Sequence, residues 1–415
     1  MLDFDVIIVG GGPAGSSAAI HLAASGARVL VAEQKRFPRE KLCGEFISPE
    51  CLEHFARLGV LERMTLAGGA QVSQTVFYAP SGRGLTVPSA WFGGGARGAL
   101  GLSRAEMDAR LLARARDVGV RVVEDASLAG VIVEGGRVAG VRLHASGEGV
   151  CEYRSRVTID ATGRQRAVAR HAARELNAGE ESDGRRVEGS NRHVEKSRTR
   201  AALVAFKAHL EDARGAARTC EIYFYPGGYG GLSPVEGGLS NLCFIARARD
   251  VRERSSDAER VMREVLMRNR RAARTLESAR ARTRWLGVSI ESFGRHAPAP
   301  GLLAVGDAAS FIDPFTGSGM LMALESGELA ARAVARWLSE SRRARAPFDA
   351  HARDYSDAYA ERFHARLRLC SALRRAAFAP PQLAELAVMA LNMSERVRRR
   401  LARATRRSAL PSIQH

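Results

Sequence analysis

Residues 3–34, DFDVIIVGGGPAGSSAAIHLAASGARVLVAEQ, constrain this chain more than any other stretch. They open with a continuous β-branched run, Val6 to Val9, the pattern of a strand buried on both faces. Gly10, Gly12 and Gly15 follow as GxGxxG, with Pro13 and Ala14 inside the motif. A helix to about Ala24 and a second strand, Arg28 to Ala32, come next. Glu33 closes the unit, 18 residues past Gly15. Each part has a mechanical reason. Gly10 permits a tight turn, Gly12 lets a pyrophosphate touch the backbone, and Gly15 lets helix and strand pack closely. The helix N-terminus turns its unpaired N–H groups toward phosphate, and Glu33 can accept from ribose hydroxyls. The spacing predicts a Rossmann-type α/β unit that binds a dinucleotide.

Near the other end, residues 301–327 read GLLAVGDAASFIDPFTGSGMLMALESG. An acid at the end of a buried strand costs several kcal/mol unless it finds a polar partner. Glycines ahead of a helix let the backbone approach a ligand. Taken with the N-terminal unit, this stretch resembles the second FAD fingerprint of the para-hydroxybenzoate hydroxylase-like flavoproteins. That superfamily includes aromatic monooxygenases, geranylgeranyl reductases and flavin-dependent halogenases, and the resemblance covers about residues 1–335. It implies that Asp307 binds a ribityl hydroxyl of FAD. It also implies that the loop with Pro314, Gly317, Ser318 and Gly319 lies along the isoalloxazine ring, facing the positive end of a helix that starts near Gly319. LSRAEMDARLLARARDVGVRVV resembles the family's arginine segment, so Arg104 would reach FAD. VTIDATGRQRAVAR resembles the region near the pyrophosphate, with Asp160 matching and Gly163 displaced from the monooxygenase pattern.

KLCGE, residues 41–45, resembles the Lys-x-Cys-Gly stretch of geranylgeranyl reductase-like proteins, which puts the cysteine beside the flavin. Cys43 and Glu45 are the catalytic candidates, as a thiol or carboxylic acid able to protonate a carbon after hydride delivery. A buried small hydrophobe and a capping acid are the plain structural alternatives. EIYFYPGGYGGLSPVEGG, residues 221–238, resembles the substrate-sheet motif and makes Tyr225 and Tyr229 substrate candidates, with ordinary sheet packing as the alternative. It lacks the tryptophan and Phe-Pro usual in the reductases, and the halogenases' Trp-x-Trp-x-Ile-Pro is absent.

The chain has 415 residues, 46% apolar, enough for two domains. Segments 1–70, 100–175 and 280–335 carry the parallel pattern of a discontinuous FAD-binding domain. Segments 71–99 and 200–279 alternate, which predicts an inserted antiparallel substrate sheet. Residues 176–199 lack apolar periodicity and predict a mobile loop; 336–415 predict a helical C-terminal region. There the helices are expected to pack as a C-terminal cap on the FAD-binding domain; as the alternative, the basic amphipathic segment 396–407 suits contact with an anionic lipid surface. The net charge is +18, yet lysine occurs only at Lys35, Lys41, Lys196 and Lys207, and the arginines are spread along the whole chain. Without an aromatic-interleaved basic cluster, no nucleic-acid partner is expected. The six cysteines show no CxxC or zinc spacing and suggest reduced thiols in a cytoplasm, with no metal site. No second dinucleotide fingerprint occurs, so NAD(P)H, if used, would bind transiently, and no obligate protein partner is evident. The expectation is an FAD-dependent oxidoreductase that reduces or dehydrogenates a carbon–carbon bond of a lipophilic or polyketide-like small molecule. The alternatives are an NAD(P)H-dependent hydroxylase and a non-enzymatic flavin-binding or membrane-surface protein.

Overall fold

The computed structural model describes residues 2–93, 98–145, 149–182, 203–290, 299–311, 317–341, 347–378 and 380–405. The β-branched opening run forms the strand Phe4–Val9, with Val6, Ile7 and Ile8 fully buried. It sits in the middle of a seven-stranded sheet. Val29–Ala32 and then Arg121–Val123 lie parallel on one side. Gly149–Asp160 lies parallel on the other, and Leu302–Ala304 pairs parallel with it. Gly149–Asp160 changes partner along its length: its first half pairs antiparallel with Arg137–Ala145, which pairs in turn with Ala126–Glu134.

Both faces of the first strand are covered. Val6 and Ile8 pack with Ala18, Leu22 and Leu324, beneath the helices Pro13–Ala24 and Gly319–Ser341. Ile7 and Val9 pack with Val131, Val138 and Val168 on the opposite face. The two helices approach very closely. A Cβ on Gly327 would lie 2.4 Å from the Ala14 carbonyl oxygen, and Ser17 Oγ donates to the Leu324 carbonyl at 2.9 Å.

A second sheet has eight strands. Its centre is antiparallel: Leu203–Glu211, Ser240–Arg247, Gly228–Pro234 and Thr219–Tyr225 in spatial order. Thr219–Tyr225 then pairs parallel with Gln74–Tyr78, which pairs antiparallel with Gly84–Pro88. The parallel pair departs from the all-antiparallel expectation. Its strands come from separate insertions, so no hairpin dictates their direction. Residues 280–290 also depart from the expected boundary. Arg280–Ala281 and Leu286–Ile290 both join Leu203–Glu211 rather than the first sheet. A small third sheet of Phe46–Ile47, Ala99–Gly101 and Ala70–Val72 lies at the junction. Of the expected loop 176–199, residues up to Ser182 continue the helix Ala167–Ser182, and 183–199 lie outside the described residues.

The C-terminal region is helical: Asp349–Ala377, Pro381–Asn392 and Glu395–Ala404. Among the described residues no helix is long and apolar enough to cross a membrane. The first of these helices is held by buried charge. Glu325 accepts from Arg362 at 2.6 Å and from Arg366 at 3.0 Å, and Arg366 is only 2% exposed. Tyr355 Oη adds a bond to the Ala304 carbonyl at 2.6 Å.

Removing one member of a buried ion pair strands the other, which costs about 3–5 kcal/mol, whereas replacing both with apolar groups costs far less. Glu325→Ala is therefore expected to destabilise by that amount, and Glu325→Leu with Arg366→Met by clearly less. Urea unfolding of the three proteins checks the order; equal midpoints would show that the pair contributes nothing.

Candidate active site

A cavity of about 520 Å³ opens between the two sheets, and its walls come from four stretches of chain far apart in sequence. The glycine loop forms one end. Gly10 has φ +110°, and a Cβ there would lie 2.3 Å from the Ala161 carbonyl oxygen. A Cβ on Gly15 would lie 1.9 Å from the Gly10 carbonyl oxygen. Both glycines are demanded by backbone packing, and Gly15 does not line the cavity. Gly12 differs. Its φ of −70° suits any residue, and a Cβ would meet only the Arg39 and Arg104 guanidinium groups, at 3.7 and 3.8 Å. Its bareness keeps open space between two cations. Pro13 and Ala14 line the same space, with Pro13 at the first helical position where no N–H is needed.

Glu33 is buried; its Oε2 accepts the Gly11 N–H at 2.8 Å and its Oε1 the Lys35 N–H at 3.1 Å. It thus fixes the glycine loop while facing the cavity. Arg104 begins the helix Arg104–Asp117, capped by Ser103 Oγ. Its guanidinium makes a two-pronged bond to Asp108, at 2.8 and 2.7 Å, and Asp108 Oδ2 also meets Arg39 Nη1 at 3.1 Å. Burial works against the Arg104 charge, but Asp108 outweighs it and holds the group firmly protonated. Lys41 and Arg164 complete a ring of cations. Burial pushes the Lys41 ammonium down, and Arg104, Arg39 and Arg164 push it further. Such crowding is relieved by an anion. The open space at Gly12, two clamped guanidiniums and a helix N-terminus together fit the diphosphate of FAD.

Asp307 lies in the turn Gly306–Ala308, just after the strand Leu302–Ala304, and lines the cavity. Burial pushes its carboxyl up; Arg164, Arg104 and Lys41 oppose this only in part. Gly317 and Gly319 bring the start of the helix Gly319–Ser341 to the cavity wall. Ser318 is buried behind them, its Oγ without a partner among the described residues. Pro314 lies outside the described residues. Gly163 lines the cavity, but Asp160 does not. Asp160 Oδ1 accepts from the Thr162 N–H and hydroxyl at 3.0 and 2.6 Å, and Oδ2 from the Ala169 N–H at 3.0 Å. The expected cofactor acid is spent on shaping the turn that carries Gly163.

Cys43 and Glu45 meet at the other end. The Cys43 Sγ accepts from the Glu45 N–H at 3.5 Å, and both Cys43 and Arg104 line the cavity. Asn241 Nδ2 donates to the Cys43 carbonyl at 3.0 Å and pins the loop to the second sheet. Glu45 is fully buried and left-handed, with φ +54°. Its Oε1 accepts from the Arg104 N–H and from Lys207 Nζ, both at 2.9 Å, and its Oε2 lies 2.6 Å from His209 Nε2. Lys207 also pairs with Glu40 on the cavity wall. Burial opposes the Lys207 charge, but Glu45 and Glu40 outweigh it and raise its affinity for the proton. Glu40, Glu45 and His209 come close enough to share a metal ion, yet the Lys207 ammonium already supplies positive charge there.

The tyrosines divide. Tyr225 Oη donates to the Ile245 carbonyl at 2.8 Å and reaches the Tyr229 carbonyl at 3.1 Å, so its polar group serves the sheet. Tyr229 packs in an apolar cluster with Leu42, Ile290, Phe311 and Phe378. Leu42, Ile290 and Phe311 line the cavity, giving it an apolar end next to Cys43. Sequence reasoning missed Arg39, Asp108, Lys207 and His209. Only Asp108 left a signal, four residues after Arg104 on one helix.

A family profile described as the FAD binding domain matches residues 3–346, and the chain belongs to that family of FAD-dependent enzymes. Digeranylgeranylglycerophospholipid reductase 2 of Methanopyrus kandleri is 28% identical over 341 residues, covering 82% of this chain and 78% of that protein. Among solved structures, a triple mutant of a flavin-dependent brominase has a TM-score of 0.77 at 20% identity, covering 97% of this chain and 95% of its own. A geranylgeranyl bacteriochlorophyll reductase-like protein of Thermoplasma acidophilum has a TM-score of 0.75 at 22% identity, covering 96% and 95%. These two share the fold.

The two kinds of glycine make a sharp expectation. Gly12→Ala should fold as the parent does, because the Cβ has room, yet hold FAD at least tenfold more weakly. Gly15→Ala should fail to fold stably. Circular dichroism and flavin titration check both; undiminished FAD affinity in Gly12→Ala would remove the phosphate from this loop.

Asp307 makes another. A carboxyl held above its ordinary range is one whose ionised form the fold disfavours, so flavin-stripped protein loses stability as pH rises from that range. Asp307→Asn should abolish this loss and raise the unfolding midpoint at pH 7 while lowering FAD content. A variant both less stable and fully flavinated would contradict the assignment.

Proposed function

We propose that this enzyme reduces a carbon–carbon double bond in a lipophilic, isoprenoid-like small molecule. The observation that carries the reading is the meeting of Cys43, the Glu45–Lys207–His209 cluster and an apolar wall at one end of the cationic cavity. The relationship to a reductase of geranylgeranyl chains supports the same substrate class.

FAD would occupy the cavity with its diphosphate between Gly12 and the clamped Arg39 and Arg104, and its adenosine ribose at Glu33. Asp307 would meet the ribityl chain, and Gly317 and Gly319 would present the helix N-terminus to the ring. When bound, FAD supplies the hydride, with electrons replenished by a transient donor such as NAD(P)H. Saturating the bond then needs one proton. Glu45 Oε1 accepts from the Arg104 N–H and Lys207, and Oε2 lies against His209 Nε2, so a proton carried on this group would have to displace one of those contacts. Cys43 is left as the donor to carbon, and Glu45 as the group that positions its loop. Leu42, Ile290 and Phe311 would exclude water from the substrate chain, with Tyr229 packed behind them. The six cysteines are all free thiols, which suits a cytoplasmic enzyme.

Anaerobic, pre-reduced enzyme is expected to convert a polyprenyl substrate to a product heavier by two hydrogens per turnover as the flavin absorbance returns. Cys43→Ser should slow that single turnover by about 10²–10⁴-fold, the range for a lost general acid. Glu45→Gln should slow it less while also weakening FAD binding. A product that gains an oxygen atom, and only when oxygen is admitted, would overturn the reading in favour of hydroxylation.

A further inference from the structure

The helices Pro381–Asn392 and Glu395–Ala404 lie beyond the stretch that the family profile matches, residues 3–346. They pack on the edge of the second sheet through a narrow inner face. Val388 and Ala402 are buried there. Glu385 accepts from the Ser81 N–H and hydroxyl, both at 2.7 Å, and Asn392 Nδ2 donates to the Gly84 carbonyl at 3.0 Å. The outer face carries apolar groups that no other described residue covers. Leu383, Leu386 and Met389 are 54%, 57% and 47% exposed, and Met393, just past the helix, is 88% exposed. Leu383 and Leu386 stand on one side of the helix, opposite Val388. The next helix adds Val397 and Leu401, partly exposed, among the exposed arginines Arg396, Arg399, Arg400 and Arg403. Large apolar side chains beside a dense cationic row are the chemistry of an interfacial helix on anionic lipid.

The position in the fold favours the same occupant. Phe378, three residues before Pro381, closes the apolar cluster that reaches the cavity through Leu42 and Phe311. We infer that Pro381–Asn392 and Glu395–Ala404 dock this enzyme on an anionic lipid surface, with Leu383, Leu386 and Met393 entering the headgroup boundary and the arginines pairing with phosphate. Apolar anchoring and charge pairing each supply part of the affinity, so both must be present for tight binding. A nucleic acid would use the arginines alone, and a second copy of the chain would use the apolar ridge alone. The inference does not rest on the reaction proposed above, because lipid binding is read without turnover.

The experiment is sedimentation of the full-length, FAD-loaded protein with vesicles. Binding to phosphatidylcholine containing about 30% phosphatidylglycerol is expected to be at least tenfold tighter than to phosphatidylcholine alone, and weaker in high salt. Leu386→Asp with Met393→Asp should cut binding to the anionic vesicles at least tenfold, and so should Arg399→Glu with Arg400→Glu. Flavin content and unfolding midpoint should match the parent in both, because these side chains touch little of the fold. Absence of binding to anionic vesicles would overturn the inference, as would equal binding by parent and variants. So would a concentration-dependent dimer, without lipid binding, that the Leu386→Asp, Met393→Asp variant abolishes.

Discussion

Everything at the site depends on backbone passing backbone at less than side-chain distance. Gly15 rests against the Gly10 carbonyl, Gly10 against Ala161, and Gly327 against Ala14. These three contacts join the first strand, the end of Gly149–Asp160 and the helix Gly319–Ser341 into one ridge. A methyl group at any of them would meet an oxygen at 2.4 Å or less. Two helix N-termini, of Pro13–Ala24 and Gly319–Ser341, consequently open onto the same cavity. The fold gathers positive potential there before any arginine is counted.

The charged side chains then do two different jobs. Asp108, fully buried, holds Arg39 and Arg104 in fixed planes toward the glycine loop. A guanidinium already clamped loses little freedom when it binds phosphate, so more of the contact appears as affinity. Glu45 works across the domain junction. It comes from the first segment of the chain, whereas Lys207 and His209 come from the second sheet. Its left-handed backbone is an unfavourable choice for a glutamate, of order 1 kcal/mol or more. A glycine would sit there at no such cost, but would leave Lys207 and His209 without their shared acceptor.

The features legible in the sequence are those whose chemistry is local. The strand, glycines, helix and Glu33 sit within residues 3–34, and Asp307 and Gly319 fall within the one stretch 301–327. Arg104 could be placed on the cavity wall from sequence because its helix, its serine cap and Asp108 are neighbours. Asp160 misled because an acid after a strand can serve a turn as readily as a ligand, and only the Thr162 and Ala169 bonds tell which. Lys207 and His209 could not be found, since their partner is more than 160 residues away. The pairing of residues 280–290 was hidden for a related reason. Short strands take their sheet from a distant neighbour, here Leu203–Glu211, rather than from their own alternation.

The cavity wall is drawn from residues near 10, near 40, around 104–170 and from 290 to 323. On a ribosome the chain emerges from its N-terminus, and the glycine loop appears hundreds of residues before Asp307. The hairpin Ala126–Ala145 and the antiparallel strands between Leu203 and Arg247 have partners close in sequence and can pair early. The strand Leu302–Ala304 and the helix after it cannot dock until they have left the exit tunnel. The cavity therefore cannot close before this last wall is made, and a nascent chain cut short before about residue 300 lacks it altogether.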